Sequence, residues 1–264
     1  MKHLIFSLLV VLGLSVNSWA QFVAGTGFED PGGVNARYID GTPEHLTDHA
    51  LDNHGGGQPI VDFTDVGWEI GFGSFFTETG STAELCDAGT GDFIGVSTAD
   101  ARTGSNSFRF SDPDGILTLT PDAIDISGEG AVRLTFWYLI ENATFESTDR
   151  FSANITVDGG TPTSLIDVQN SGGTDIEALA DDKWRQIISP IISASANSVV
   201  LDFNVQFNSD SETLFLDDIE VNAIPEPATY ALILGGLAIG EVIWKRRRRS
   251  YFFASRLEPN YFIG

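Results

Sequence analysis

Three of the four histidines, His45, His49 and His54, fall within ten residues and alternate with Glu44, Asp48 and Asp52. On a helix, His45 and His49 would share a face at i, i+4, and His54 with Asp48 or Asp52 would complete a tetrahedral zinc set. Gly55-Gly56-Gly57 follows at once and the glutamate of an HExxH motif is missing, so the segment reads as a loop. Asp112-x-Asp114-Gly115 resembles the start of a calcium loop but lacks the later ligands, and reads as a hairpin turn. Cys86 is the only cysteine; no histidine stands in a motif relation to it, and it reads as buried and inert. No G-x-S-x-G elbow or Walker loop occurs, and nothing selects a glycosidase-type pair among the acids. Two tryptophans have charged neighbours: Trp68 precedes Glu69, and Trp184 lies between Lys183 and Arg185. They are the rings expected at the surface, placed to stack on a sugar, whereas Phe72, Phe75, Phe76, Trp137 and Tyr138 read mostly as core.

The elements that must position these residues have the period of strands. Val132, Leu134, Phe136, Tyr138 and Ile140 alternate with Arg133, Thr135, Trp137 and Leu139, a strand covered on both faces. Phe151, Ala153, Ile155 and Val157 alternate with Ser152, Asn154, Thr156 and Asp158, half-buried and closed by Asp158-Gly159-Gly160. Val199 to Phe207 repeats the pattern against Asp202, Asn204, Gln206 and Asn208. Phe108–Phe110 and Ile116–Leu119, separated by Ser111-Asp112-Pro113-Asp114-Gly115, read as a hairpin. Short strands are expected near Phe22–Phe28, Ile60–Phe63, Trp68–Phe76 and Phe93–Val96, and Asp175–Ala180 as a single helical turn. The sequence therefore predicts an all-β chain, a β-sandwich of jelly-roll type.

Charge narrows the function classes. Residues 21–224 hold seven of the fourteen Lys and Arg but thirty-four of the thirty-seven Asp and Glu, a net of about −27. Such a surface repels nucleic acid and anionic headgroups, and it suits a soluble extracellular domain that meets divalent cations. With one cysteine, stability must come from a hydrophobic core.

Both ends read as addresses. Lys2, the apolar Leu4–Leu14 and Ser18-Trp19-Ala20 have the layout of a signal peptide, 1–20, cleaved after Ala20. At the other end Pro225-Glu226-Pro227 precedes seventeen mostly apolar residues, Ala228–Trp244, and then Lys245, Arg246, Arg247, Arg248 and Arg249. As a helix this run would reach roughly 25 Å, the short end for crossing a bilayer, with the cations as a cytoplasmic stop. A turn, an apolar run and a basic stop in this order resemble the PEP-CTERM sorting signal of Gram-negative bacteria. The resemblance implies processing by an exosortase in the inner membrane, with Pro225, Glu226 and Pro227 as the sorting motif. The expected division is 1–20 signal peptide, 21–224 ectodomain, 225–249 sorting and anchor segment with one transmembrane helix, and 250–264 tail.

The ectodomain carries a second resemblance. It opens with Gly27-Phe28-Glu29-Asp30 and closes with Leu214-Phe215-Leu216-Asp217-Asp218-Ile219-Glu220-Val221. These ends look like the first and last strands of galactose-binding-like jelly rolls, the fold of many carbohydrate-binding modules. The resemblance implies adjacent first and last strands and a structural calcium held by Glu29, Asp30, Asp217 and Asp218.

The expectation is a non-catalytic exported protein, sorted through an inner-membrane precursor to the cell surface or extracellular matrix, where it associates with polysaccharide. Two alternatives stay open: a secreted metal-dependent or glycan-directed hydrolase using the His45–His54 segment, and a purely structural matrix protein.

Overall fold

In the computed structural model the described residues are 21–29, 49–50, 73–77, 93–113, 116–121, 123–170, 175–225 and 235–245. The chain divides into two compact units: Phe22–Ile224, and a second made of Met1–Gln21 with Pro225–Gly264. The strands are β1 (Gln21–Thr26), β2 (His49–Ala50), β3 (Gly73–Thr77), β4 (Phe93–Ser97), β5 (Ser107–Ser111), β6 (Ile116–Thr120) and β7 (Ile124–Asp125). They continue with β8 (Val132–Ile140), β9 (Arg150–Val157), β10 (Thr163–Gln169), β11 (Arg185–Ile188), β12 (Ser198–Gln206) and β13 (Thr213–Ala223). One sheet has the order β11-β8-β13-β5-β4, with β1 also on β13; the other runs β10-β9-β12-β6-β3-β2, with β7 also on β12.

Each sheet is organised by one long strand. β8 follows β13 from Leu214 to Ala223, which leaves the opposite edge of β13 to β5 and β1 in succession. β9 likewise follows β12, and β6 and β7 divide its other edge. The first and last strands are therefore neighbours. Their backbones approach so closely at Gly25 that an added Cβ would overlap the carbonyl oxygen of Ile219.

The core lies between the sheets and is built from the alternating positions. In β12 Val199, Leu201, Phe203 and Val205 are buried while Ser198, Val200, Asp202, Asn204 and Gln206 are half-buried, the pattern of a strand with one covered face. Phe136 of β8 meets Phe203 of β12 edge-on at 5.1 Å, and Tyr138 meets Phe151 at 5.4 Å, so aromatic pairs bridge the two layers. Phe28, Phe108, Phe110, Phe136, Phe151, Phe203 and Phe207 are fully buried, which supplies the core that the missing disulfide makes necessary.

One sequence expectation is corrected. β5 and β6 do not form a hairpin: β5 pairs with β4 and β13, and β6 pairs with β12 and β3. The chain between them crosses from one sheet to the other, through Asp112 at φ 50 and Pro113. Turn residues mark a reversal of direction but carry no information about which sheet accepts the next strand. Asp175–Ala180 does form a single turn, closed by the Ala180 N–H donating to the Ile176 carbonyl at 3.0 Å.

In the second unit, residues 235–245 form one short helix, α1, in which Lys245 pairs with Glu241 at 2.7 Å. Among the described residues no helix is long and apolar enough to cross a membrane. The run expected to span, 228–244, is described only from 235. Glu226, Pro227, Arg246–Arg249 and the signal peptide lie outside the described residues, as do Asp30, His45, His54, Trp68 and Cys86.

Candidate functional site

The outward positions of the second sheet line up across its strands. Directly opposed residues in antiparallel pairs project to the same face. Asp167, Ser152, Asn204 and Thr118 are successive partners across β10, β9, β12 and β6, with Ser152 itself buried within the row. Phe75 of β3 holds the next register position, beside Thr118. A parallel row carries Ser164, Asn154 and Asp202, with Thr120 joined to Asp202 by a hydroxyl-to-carboxylate hydrogen bond of 2.6 Å. The Thr118 hydroxyl donates to Asn204 Oδ1 at 2.7 Å, a bond that uses the amide oxygen and not its N–H donors. Ile116, Arg150, Ser152, Asn154, Asn204 and Gln206 line an open depression of about 220 Å³ on this face.

The electrostatics of this face differ from those of the whole domain. Arg150 grips Asp167 with two parallel bonds, Nε to Oδ1 and Nη2 to Oδ2, both 2.7 Å. That hydrogen bonding holds the Asp167 carboxyl below its usual range. A chain with a large negative excess thus presents here amides, hydroxyls, a neutralised ion pair and the hydroxyl-bonded carboxylate of Asp202. Such a surface offers directional donors and acceptors to an uncharged, hydroxyl-rich molecule without repelling it. Along this face the described carboxylates include Asp125, Asp167 and Asp202, each already accepting a hydrogen bond from a neighbour.

Of the four acids named for calcium, Glu29, Asp217 and Asp218 are described. A β-bulge lies between Asp217 and Glu220, with Asp218 at φ 46, and Asp217, opposite Trp137, is fully buried beneath the β4–β5 connection. Its Oδ2 accepts the backbone N–H of Arg102 at 2.8 Å and of Thr103 at 3.2 Å, and Oδ1 accepts the Asp218 N–H at 2.7 Å. Asp218 accepts the Thr103 hydroxyl at 2.7 Å and pairs with the Arg102 guanidinium. Glu29 Oε1 accepts the Ser105 and Asn106 N–H groups at 2.8 and 2.9 Å. Three acids from the two ends of the ectodomain thus fasten the β4–β5 connection, residues 98–106. In this arrangement a cation there would have to displace those donors. Burial, followed by the charge of Asp218, pushes the Asp217 carboxyl up to about 6 against the pull of its three N–H donors.

The aromatic candidates separate. Trp184 is half-buried just before β11, at the edge of the first sheet and away from the polar face. The Arg102 guanidinium sits 3.8 Å from the ring centre of half-buried Trp137, so that ring already has a partner. Of the histidine segment, His49 is described: it lies in β2 as the register partner of Ser74 in β3. Sequence reasoning read Ser152, Asn154, Asp202, Asn204 and Gln206 only as the solvent side of strands. Their alternation was the available signal; their alignment into rows needed the register.

No protein-family model matches the chain, and no curated protein matches it significantly. Similar solved structures are distant. The K3 cleaved adhesin domain of Lys-gingipain from Porphyromonas gingivalis is 16% identical over 48% of this chain and 76% of its own, with a TM-score of 0.34. A CBM22-1 xylan-binding domain from Paenibacillus barcinonensis is 12% identical over 72% of this chain and 97% of its own, at 0.31. The enzymatically active domain of tailspike protein 4 from bacteriophage CBA120 is 15% identical over 59% of this chain and 19% of its own, at 0.34. At these scores the likeness assigns neither ligand nor activity. The residues of the chain itself must carry the functional reading.

Proposed function

We propose that this chain is a non-catalytic exported protein whose β-sandwich associates with polysaccharide through the outer face of the second sheet. The observation that carries the proposal is the row Asp167–Ser152–Asn204–Thr118 with its neighbour Asn154–Asp202–Thr120. Fixed amides and hydroxyls, beside an Asp167 carboxylate that Arg150 neutralises, are what recognition of sugar hydroxyls requires. The strands stand about 4.8 Å apart, so a row across four of them offers repeated contacts to an extended chain molecule rather than one deep pocket. The PEP-CTERM-like end, Pro225-Glu226-Pro227 with the apolar run and Lys245–Arg249, supports delivery by an exosortase from an inner-membrane precursor to the cell surface or matrix.

The test is retention of the full chain in native gels cast with soluble polysaccharides: xylan, mixed-linkage β-glucan, galactomannan, alginate and the exopolysaccharide of the producing cell. Retardation by at least one neutral polysaccharide, with no release of reducing ends, is the expected result. Mobility unchanged in all of them refutes the binding reading, and released sugar ends refute the non-catalytic one.

A further inference from the structure

Beyond one end of the polar face, two connections of the sandwich bring three carboxylates together. Glu146 and Asp149 lie in the connection 141–149 between β8 and β9, and Glu212 ends the connection 207–212 between β12 and β13. Each offers one oxygen, and the three oxygens lie within 4.8 Å of one another. Asp149 and Glu212 are both 0% exposed, whereas Glu146 is exposed.

Hydrogen bonding accounts for only one oxygen of each buried acid. Asp149 Oδ2 accepts the Glu146 N–H, and Glu212 Oε2 accepts the Asn208 N–H at 3.0 Å. Asp149 Oδ1 and Glu212 Oε1 are buried with no hydrogen-bond partner. Among the described residues no Lys or Arg pairs with any of the three. Two buried carboxylates with unpartnered oxygens and no cation cost more than the domain would keep without compensation. Burial raises both carboxyls above their usual range, and Glu212 is raised further by the charge of Asp149.

The surroundings are rigid. Phe145 and Phe207, one from each connection, meet edge-to-face with ring centres 5.5 Å apart, and both are buried. The Asn170 side chain donates to the Phe145 carbonyl, and the Gln169 side chain donates to the Ser147 carbonyl at 3.3 Å. The oxygens are therefore held in place from outside the cluster.

We propose that Glu146, Asp149 and Glu212 bind one calcium ion, which clasps the β8–β9 connection to the β12–β13 connection. The donor set is all oxygen, without His or Cys, and this selects a hard dication over zinc. The three carboxylates supply part of a six- to eight-oxygen shell, and the exposed side at Glu146 admits water for the rest. Asp149 immediately precedes Arg150, so the ion also fixes the start of β9 at one corner of the polar face. The site stands independently of the glycan reading.

The full chain, stripped with EGTA, is titrated with calcium chloride by calorimetry and by melting. The wild type is expected to bind and to melt higher with calcium. Asp149→Asn combined with Glu212→Gln should lose one bound ion per chain, and Glu146→Gln, an exposed change that leaves the fold intact, should weaken that ion about tenfold or more. Unchanged stoichiometry and affinity in both variants overturn the proposal. So does a wild type indifferent to calcium whose Glu212→Gln variant melts higher in EGTA, because the acids would then be sharing a proton rather than awaiting an ion.

Discussion

The carboxylate of Asp217 and the backbone N–H of Arg102, separated by 115 residues, meet at 2.8 Å at the bulge of the last strand. Through that bond and those of Asp218 and Glu29, the two ends of the ectodomain hold one loop in place. Replacing Asp217 with Ala strands the N–H groups of Arg102 and Thr103 and empties a buried position. The expected loss is about 2 kcal/mol in urea unfolding. A loss below about 0.5 kcal/mol would show that the loop is held by other means.

Two glycines with similar backbone angles test the Glu29 contact. Gly104 has φ +64 and an added Cβ would run into the Glu29 carboxylate; Gly128 has φ +82 with open space around it. Gly104→Ala and Gly128→Ala share the cost of a left-handed alanine, about 1 kcal/mol. The first should cost about 1 kcal/mol more, because it also displaces Glu29 from Ser105 and Asn106. Equal melting temperatures for the two variants would contradict this.

Stability should rise as pH falls in the presence of chelator. Asp217 has its folded pKa raised to about 6, and Asp149 and Glu212 are raised as well, all by burial. For a raised carboxyl the folded state binds more protons than the unfolded one between the unfolded value, about 4, and the folded value. Stability therefore increases as pH drops through that window. Asp181, held down to about 2 by Arg185 and Lys183, loses its contribution only below about 4, so it does not oppose the trend. Melting temperatures in EGTA at pH 5 should exceed those at pH 8, and the opposite order would contradict the burial argument.

The sorting proposal predicts a mass. Protein recovered from the surface or medium of the producing cell should begin at Gln21 and lack everything beyond the Pro225-Glu226-Pro227 region. A full-length inner-membrane species alone would refute it.

The sandwich was legible because apolar residues recur at every second position of β8, β9 and β12, the period of strands packed on a core. The β5–β6 connection was not, since the residues of a turn are local and sheet membership is set by distant partners. The calcium acids show both sides of this. The first and last strands are neighbours as expected and Glu29 follows the first of them, yet the loop N–H groups that meet Glu29 and Asp217 lie 76 and 115 residues away. Glu146, Asp149 and Glu212 come from two connections with no motif between them, so only the fold could bring them together. The rows of the polar face needed the register of four strands, of which the sequence displays only each strand's alternation.

The most direct test of the account is a pair of binding isotherms on whichever neutral polysaccharide retards the wild type, comparing the wild type with Asn154→Ala/Asn204→Ala. Both side chains project from one face and neither is in the core, so melting should shift little. The account predicts affinity reduced by about tenfold or more with the fold intact, the loss of two directional hydrogen-bonding groups. Equal affinity in a folded double variant would place the ligand elsewhere and contradict the assignment of this face.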